Sequence, residues 1–248
     1  MLKVYLKIFV ATLSLLSLVK FCMAQNQVNG NKGYADKKFS VSINALYSYQ
    51  YGLRGDYYIN TSLTDVVSKA RNGFGFLVDA HLALNKKRSW FLGIEYGNIQ
   101  GYGSGNNITL VSQKSATVYK GNLDLYIRTR LIGLNMILAL AKKNPKHCVY
   151  FVLGVSQSKY NEEFFIDGKN SSCNTSDLIL TYGFKYDKRI GKHLALSSGI
   201  ILNQAAVRYV LANENLLQNN GTLLGGERVD FGKINFSLGL RYYLGRKF

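Results

Sequence analysis

The chain has 248 residues with one proline, 24 glycines and a formal charge of +17 from 31 Lys+Arg against 14 Asp+Glu. One proline excludes a proline-rich linker, and the length suits one large domain or one closed all-β unit. The positive balance points to nucleic acid or to an anionic membrane surface, and the first residues decide between them.

Lys3 and Lys7 precede an apolar run from Ile8 to Val19, with small residues up to Ala24, the layout of a cleaved secretory signal peptide over residues 1–24. The run is too short to span a bilayer as a helix. Lys20 and Phe21 ahead of Cys22 argue against acylation of that cysteine. Cleavage after Ala24 removes Lys3, Lys7 and Lys20 and lowers the charge from +17 to +14. Such an exported chain is expected to face lipid headgroups, lipopolysaccharide or cell wall, and not nucleic acid. Residues 25–37 are expected to form a periplasmic N-terminal segment and residues 38–248 an outer-membrane β-barrel.

Past Lys38, period-2 alternation recurs in runs of roughly ten residues, the signature of strands that face lipid on one side. Phe39–Gln50 sets Val41, Ile43, Ala45 and Tyr47 against Ser40, Ser42, Asn44 and Ser48. Residues 72–84 oppose Phe74, Phe76 and Val78 to Gly73, Gly75, Asp79 and His81, and residues 90–99 oppose Trp90, Leu92, Ile94 and Tyr96 to Gly93, Glu95 and Gly97. Residues 122–141 start with Leu123, Leu125 and Ile127 on odd parity and continue with Ile132, Leu134 and Met136 on even, which predicts a β-bulge near 128–131. Further strands are expected over 149–159, 178–186, 194–203 and 234–248, with Thr181, Lys185, Lys233 and Arg241 on the polar parity.

The connections after strands two, four and six are short and basic (85–89, 142–147 and 188–193), and the others are long and polar (51–71, 100–121, 160–176 and 206–226). An even strand number with short turns at one end and long loops at the other predicts an all-β, eight-stranded antiparallel transmembrane β-barrel with both termini in the periplasm. A soluble secreted cup is the rival, apolar inside and polar outside. The polar parity decides: it combines small residues with both signs of charge, which suits a narrow lumen where ions pair. Asp79, Glu95, Lys185, Lys233 and Arg241 are expected to form that lumenal polar network. Rings such as Tyr47, Tyr49, Trp90, Tyr186 and Tyr242 tip the apolar rows, as at a membrane interface.

The last strand, with Leu240, Tyr242 and Leu244 on one parity and Phe248 at its end, resembles the C-terminal signal read by the barrel assembly machinery; Arg246 departs from that pattern. Residues 38–248 resemble the outer-membrane β-barrel domain (porin-like) families common in Bacteroidetes and, in size, the small OmpA- and OmpX-like barrels. The resemblance implies a compartment more than an activity, since members serve as structural, adhesive, secretion-linked or weakly pore-forming proteins.

Signals for chemistry are weak. His193 and Ser197 lie four apart, roughly 13 Å along a strand, on the lumen parity, and so lack the tight, lipid-facing His-x-Ser spacing of eight-stranded lipid A deacylases. Asp79, His81 and Glu95 share the lumen face and are read as structural, and G-Y-G-S-G (Gly101 to Gly105) as a flexible loop. Cys148 and Cys173 fall at opposite ends of a ~25 Å apolar band, beyond the ~7 Å Cα limit of a disulfide, so no bond between them is expected. No catalytic residue, metal or cofactor is expected. The expected role is structural, or surface binding and adhesion through the long loops, with at most a narrow pore. Outer-membrane lipid, lipopolysaccharide and the assembly machinery are the expected partners, with cell wall or an extracellular ligand as further candidates. The alternatives are a small-solute porin, a secretion-system accessory barrel or a lipid-modifying enzyme.

Overall fold

The computed structural model describes residues 38–50, 61–84, 89–112, 118–141, 147–204, 206–208, 217–219, 222–223, 228–230 and 232–244. The expected signal peptide, the 25–37 segment, most of the short basic turns at 85–89 and 142–147, and Phe248 lie outside them. The barrel strands are β1 (Phe39–Gln50), β2 (Gly73–Ala83), β3 (Trp90–Ser112), β4 (Val118–Ala141), β5 (His147–Ile166), β6 (Lys169–Arg189), β7 (Leu194–Gln204) and β8 (Lys233–Leu244), with one helix, α1 (Thr61–Arg71), between β1 and β2. Each strand pairs antiparallel with its sequence neighbour, and β8 pairs back onto β1 from Phe39↔Leu244 to Gln50↔Lys233, which closes the sheet. Within the belt, closure leaves no strand edge, the condition for backbone to cross lipid.

Period-2 alternation turns apolar residues outward over a belt. On β1 the outward row from Phe39 to Tyr49 spans ten residues, which at ~3.3 Å per residue and a tilt near 40° covers about 25 Å along the barrel axis. Phe74, Leu178, Ile132 and Leu134 are each more than 60% exposed on this face, so the exterior is apolar where a soluble protein would be polar. Inside, Ser42, Asn44, Asp79, Lys185, Lys233 and Arg241 are buried. That inverts the soluble-cup arrangement.

β3 to β6 run 20 to 24 residues, about twice the length of the other strands. Residues 100–112, 160–166 and 169–176, within spans expected as loops, are strand. The tip between β5 and β6 is the two-residue turn Asp167–Gly168, both at positive φ (49° and 69°), the geometry that suits a tight hairpin and for which Asp-Gly is favoured. The mixed parity of β4 has a different cause from the bulge expected at 128–131. Pairing of β4 with β5 is continuous from Leu123↔Ile166 to Ala139↔Tyr150. Inward parity stays odd throughout, with Leu123, Leu125, Ile127 and Leu131 buried. The apolar face changes sides while the register holds: within the belt the outside is apolar, and beyond it the wall stands in water with its oily residues inside.

α1 packs inside the barrel at the end away from the termini. Its buried face of Val66, Val67 and Ala70 joins Leu46, Ile99, Ile108, Leu125, Phe164 and others in one apolar cluster. The G-Y-G-S-G stretch is its seat and not a loop. A Cβ at Gly101 would lie 1.9 Å from the Ala70 carbonyl oxygen, and one at Gly103 2.0 Å from that of Val66. Only glycine lets the helix lie directly on the inner face of β3. Between β7 and β8, Leu217–Asn219 adds to the far end of β3 through Val111 and Ser112, and Ala206–Arg208 pairs with Arg228–Asp230.

Candidate functional site

The lumen is filled in three layers. Nearest the termini, Phe91, Ile137, Tyr150, Val152 and Tyr243 pack with Cys148, Ala195 and Ile201, with Phe91 and Tyr150 edge to face at 6.1 Å. Along the β5 ladder Cys148 is opposite Asp187 and Cys173 opposite Glu162. Fourteen residues of strand separate positions 148 and 162, about 46 Å at ~3.3 Å each, which excludes a disulfide between the two.

The middle layer is ionic. Asp79 receives Lys185 Nζ on Oδ2 at 2.6 Å and Arg241 Nη2 on Oδ1 at 3.3 Å, with His81 Nδ1 3.0 Å from the same Oδ1. Arg241 Nη1 also lies 3.4 Å from Asp187 Oδ2, which accepts a hydrogen bond from Tyr243; the Arg241 guanidinium rests 5.5 Å over the Tyr150 ring. Small inward residues make these reaches possible. His81 passes over Gly93 to meet Asn135 Oδ1 at 2.9 Å, and Glu95 passes over Gly133 to accept from Ser156 Oγ at 2.7 Å. Asn135 Nδ2 donates to Glu95 at 3.0 Å and links the two groups.

Of the five residues expected in one network, the structure brings together Asp79, Lys185 and Arg241. Glu95 joins them only through Asn135 and His81. Lys233 is apart, donating to Thr129 Oγ1 at 2.6 Å. Asp187, Tyr150 and Tyr243 were missed; Asp187 shares lumen parity with Lys185 two residues earlier, a signal that extending the β6 pattern would have found. The third layer is the apolar cluster under α1.

This arrangement pairs buried charges of opposite sign. Asp79, His81 and Glu95 are buried, and no metal-binding group of three such residues exists among the described residues. His193 Nδ1 lies 3.0 Å from the Tyr243 carbonyl oxygen and its ring stacks on Tyr242 at 5.8 Å, so it fastens the turn onto β8. Leu240, Tyr242 and Leu244 of the expected assembly signal stand exposed on the outer face of β8.

A closed antiparallel barrel with ions inside and a bare apolar belt outside is stable only in lipid. It is an outer-membrane β-barrel. No family model and no curated protein matches the chain. Among solved structures it is similar to Neisserial surface protein A, with 14% identity, a TM-score of 0.45 and coverage of 83% of this chain and 97% of that one. The attachment invasion locus protein Ail of Yersinia pestis gives 13%, 0.46, 84% and 99%, and a major outer membrane protein from Thermus thermophilus gives 11%, 0.44, 83% and 99%.

Beyond the belt, the outer face of the wall is polar and aromatic. Tyr102 and Tyr126 lie 4.9 Å apart, and Tyr126 meets Phe165 edge to face at 5.8 Å. Tyr102 donates to Asp124 Oδ1 at 2.6 Å, and the hydrogen bond to that carboxylate raises the exposed phenol above its ordinary pKa.

Proposed function

We propose that this protein is a sealed, non-enzymatic barrel whose work is done by the wall and loops at the end away from the termini, placed on the cell surface. The observation that carries this reading is the filling of the lumen: an aromatic layer, a paired-ion layer and the apolar cluster under α1 stand in series, in an interior that eight strands make just wide enough for side chains to fill. The wall supports the second half of the reading. Strands continue some 12 residues past the belt on β4, from Arg130 to Val118, about 40 Å of ordered backbone. A rigid projecting sheet is a better binding platform than a free loop, because little of its conformational freedom is lost on contact.

Reconstitution into planar bilayers tests the first half. The full chain is expected to give no discrete conductance above the lipid background, and a regular single-channel current would contradict the sealed-barrel reading. Binding of surface ligands would then be sought on the wall, where replacing Tyr102 and Tyr126 by serine is expected to weaken it while the barrel's unfolding free energy falls by no more than about 2 kcal/mol.

A further inference from the structure

One row of the wall breaks a pairing rule. Arg130 on β4 is directly opposite Lys159 on β5, and Arg128, two residues on, shares their outward face. Like charges opposite one another across a ladder repel, yet all three side chains are exposed, and none of the ion pairs among the described residues involves them. Glu163, the nearest acid on that face, accepts from Asn161 Nδ2 at 2.6 Å. Asn161, Asn174 and Ser176 complete a shallow depression around the cations.

Its height is the second observation. Ile132 and Leu134 belong to the lipid-facing belt, and Arg130 is the next outward residue on the same strand; on β6 Ser176 follows Leu178 in the same way. The depression therefore sits at the depth of the headgroups, at the end away from the termini.

We propose that Arg128, Arg130 and Lys159 form a binding site for a phosphorylated lipid headgroup in the leaflet at the wall end, a lipopolysaccharide phosphate in an outer membrane. A phosphate brings close to two negative charges and several acceptor oxygens, which a pair of guanidinium forks and an ammonium can share. It removes the repulsion that the bare cluster carries. The amides of Asn161 and Asn174 and the Ser176 hydroxyl offer further donors to the sugar and phosphate oxygens around it. The proposal rests on the barrel standing in lipid with that end outward.

The test is native mass spectrometry of the refolded full chain released from micelles that contain bis-phosphorylated lipid A, its dephosphorylated form and phosphatidylcholine. The parent is expected to retain the phosphorylated form about tenfold or more over the dephosphorylated one. The triple variant R128S/R130S/K159S is expected to lose that preference, while K188S/K192S at the terminal end keeps it. Heat-modified gel mobility reports that each variant has folded, and K159S alone is expected to lose part of the preference should the triple variant fail to fold. Equal retention by parent and triple variant, or displacement of lipid A by millimolar inorganic phosphate, would overturn the proposal. A parent that retains none of the three lipids would instead contradict the membrane reading beneath it.

Discussion

Lys185, Arg241 and the His81 imidazole all converge on the Asp79 carboxylate, which lies fully inside the barrel. Removing its charge leaves two buried cations with only Asp187 between them, and losing one partner of a buried pair costs about 3–5 kcal/mol. Asp79→Asn is therefore expected to lower unfolding free energy by that amount in urea titrations from lipid vesicles, and an effect below about 1 kcal/mol would mean that water screens the layer. At Gly93 an added Cβ would lie 2.2 Å from the His81 ring. Gly93→Ala should then break the His81–Asn135 hydrogen bond and cost about 1–3 kcal/mol by the same titration. The lumenal identity of these residues was legible from parity and sign alone. Which carboxylate meets which cation was not, because it depends on the register around the closed barrel and on glycines that let side chains reach across an intervening strand.

At the scale of elements, the strands within the belt follow directly from alternation, and the predicted and observed bounds of β1 coincide. The wall and α1 were read as loop for a physical reason. Lipid-facing alternation is one code, and strands outside the belt use the opposite code, so β4 looked bulged where its surroundings change from lipid to water. The Asp167–Gly168 turn between Phe164–Phe165–Ile166 and the following polar run carried a usable hairpin signal that loop composition masked. α1 is short, and its apolar face of Val66, Val67 and Ala70 matters only against glycines more than 30 residues away, Gly101 against Ala70 and Gly103 against Val66. Gly103→Val is expected to lift the helix: a V66C reporter, buried in the parent background, should become reactive to a water-soluble maleimide. Unchanged protection would place the helix elsewhere.

For the whole molecule, charge, alternation and the order of short and long connections were enough to place a barrel in lipid, while the way aromatic, ionic and apolar side chains pack inside it is visible only in the assembled structure. The decisive measurement is a cysteine-fluorophore scan along β4 in vesicles, read with a nitroxide quencher in the lipid and another in water. Labels at Ile132 and Leu134 should be quenched from lipid, labels at Arg128 and Arg130 from water, and labels at Leu125 and Ile127 from neither. Lipid quenching at Leu125 and Ile127 would mean that the apolar face never changes sides, that the wall is part of the span, and that the sealed barrel with a water-side platform is wrong.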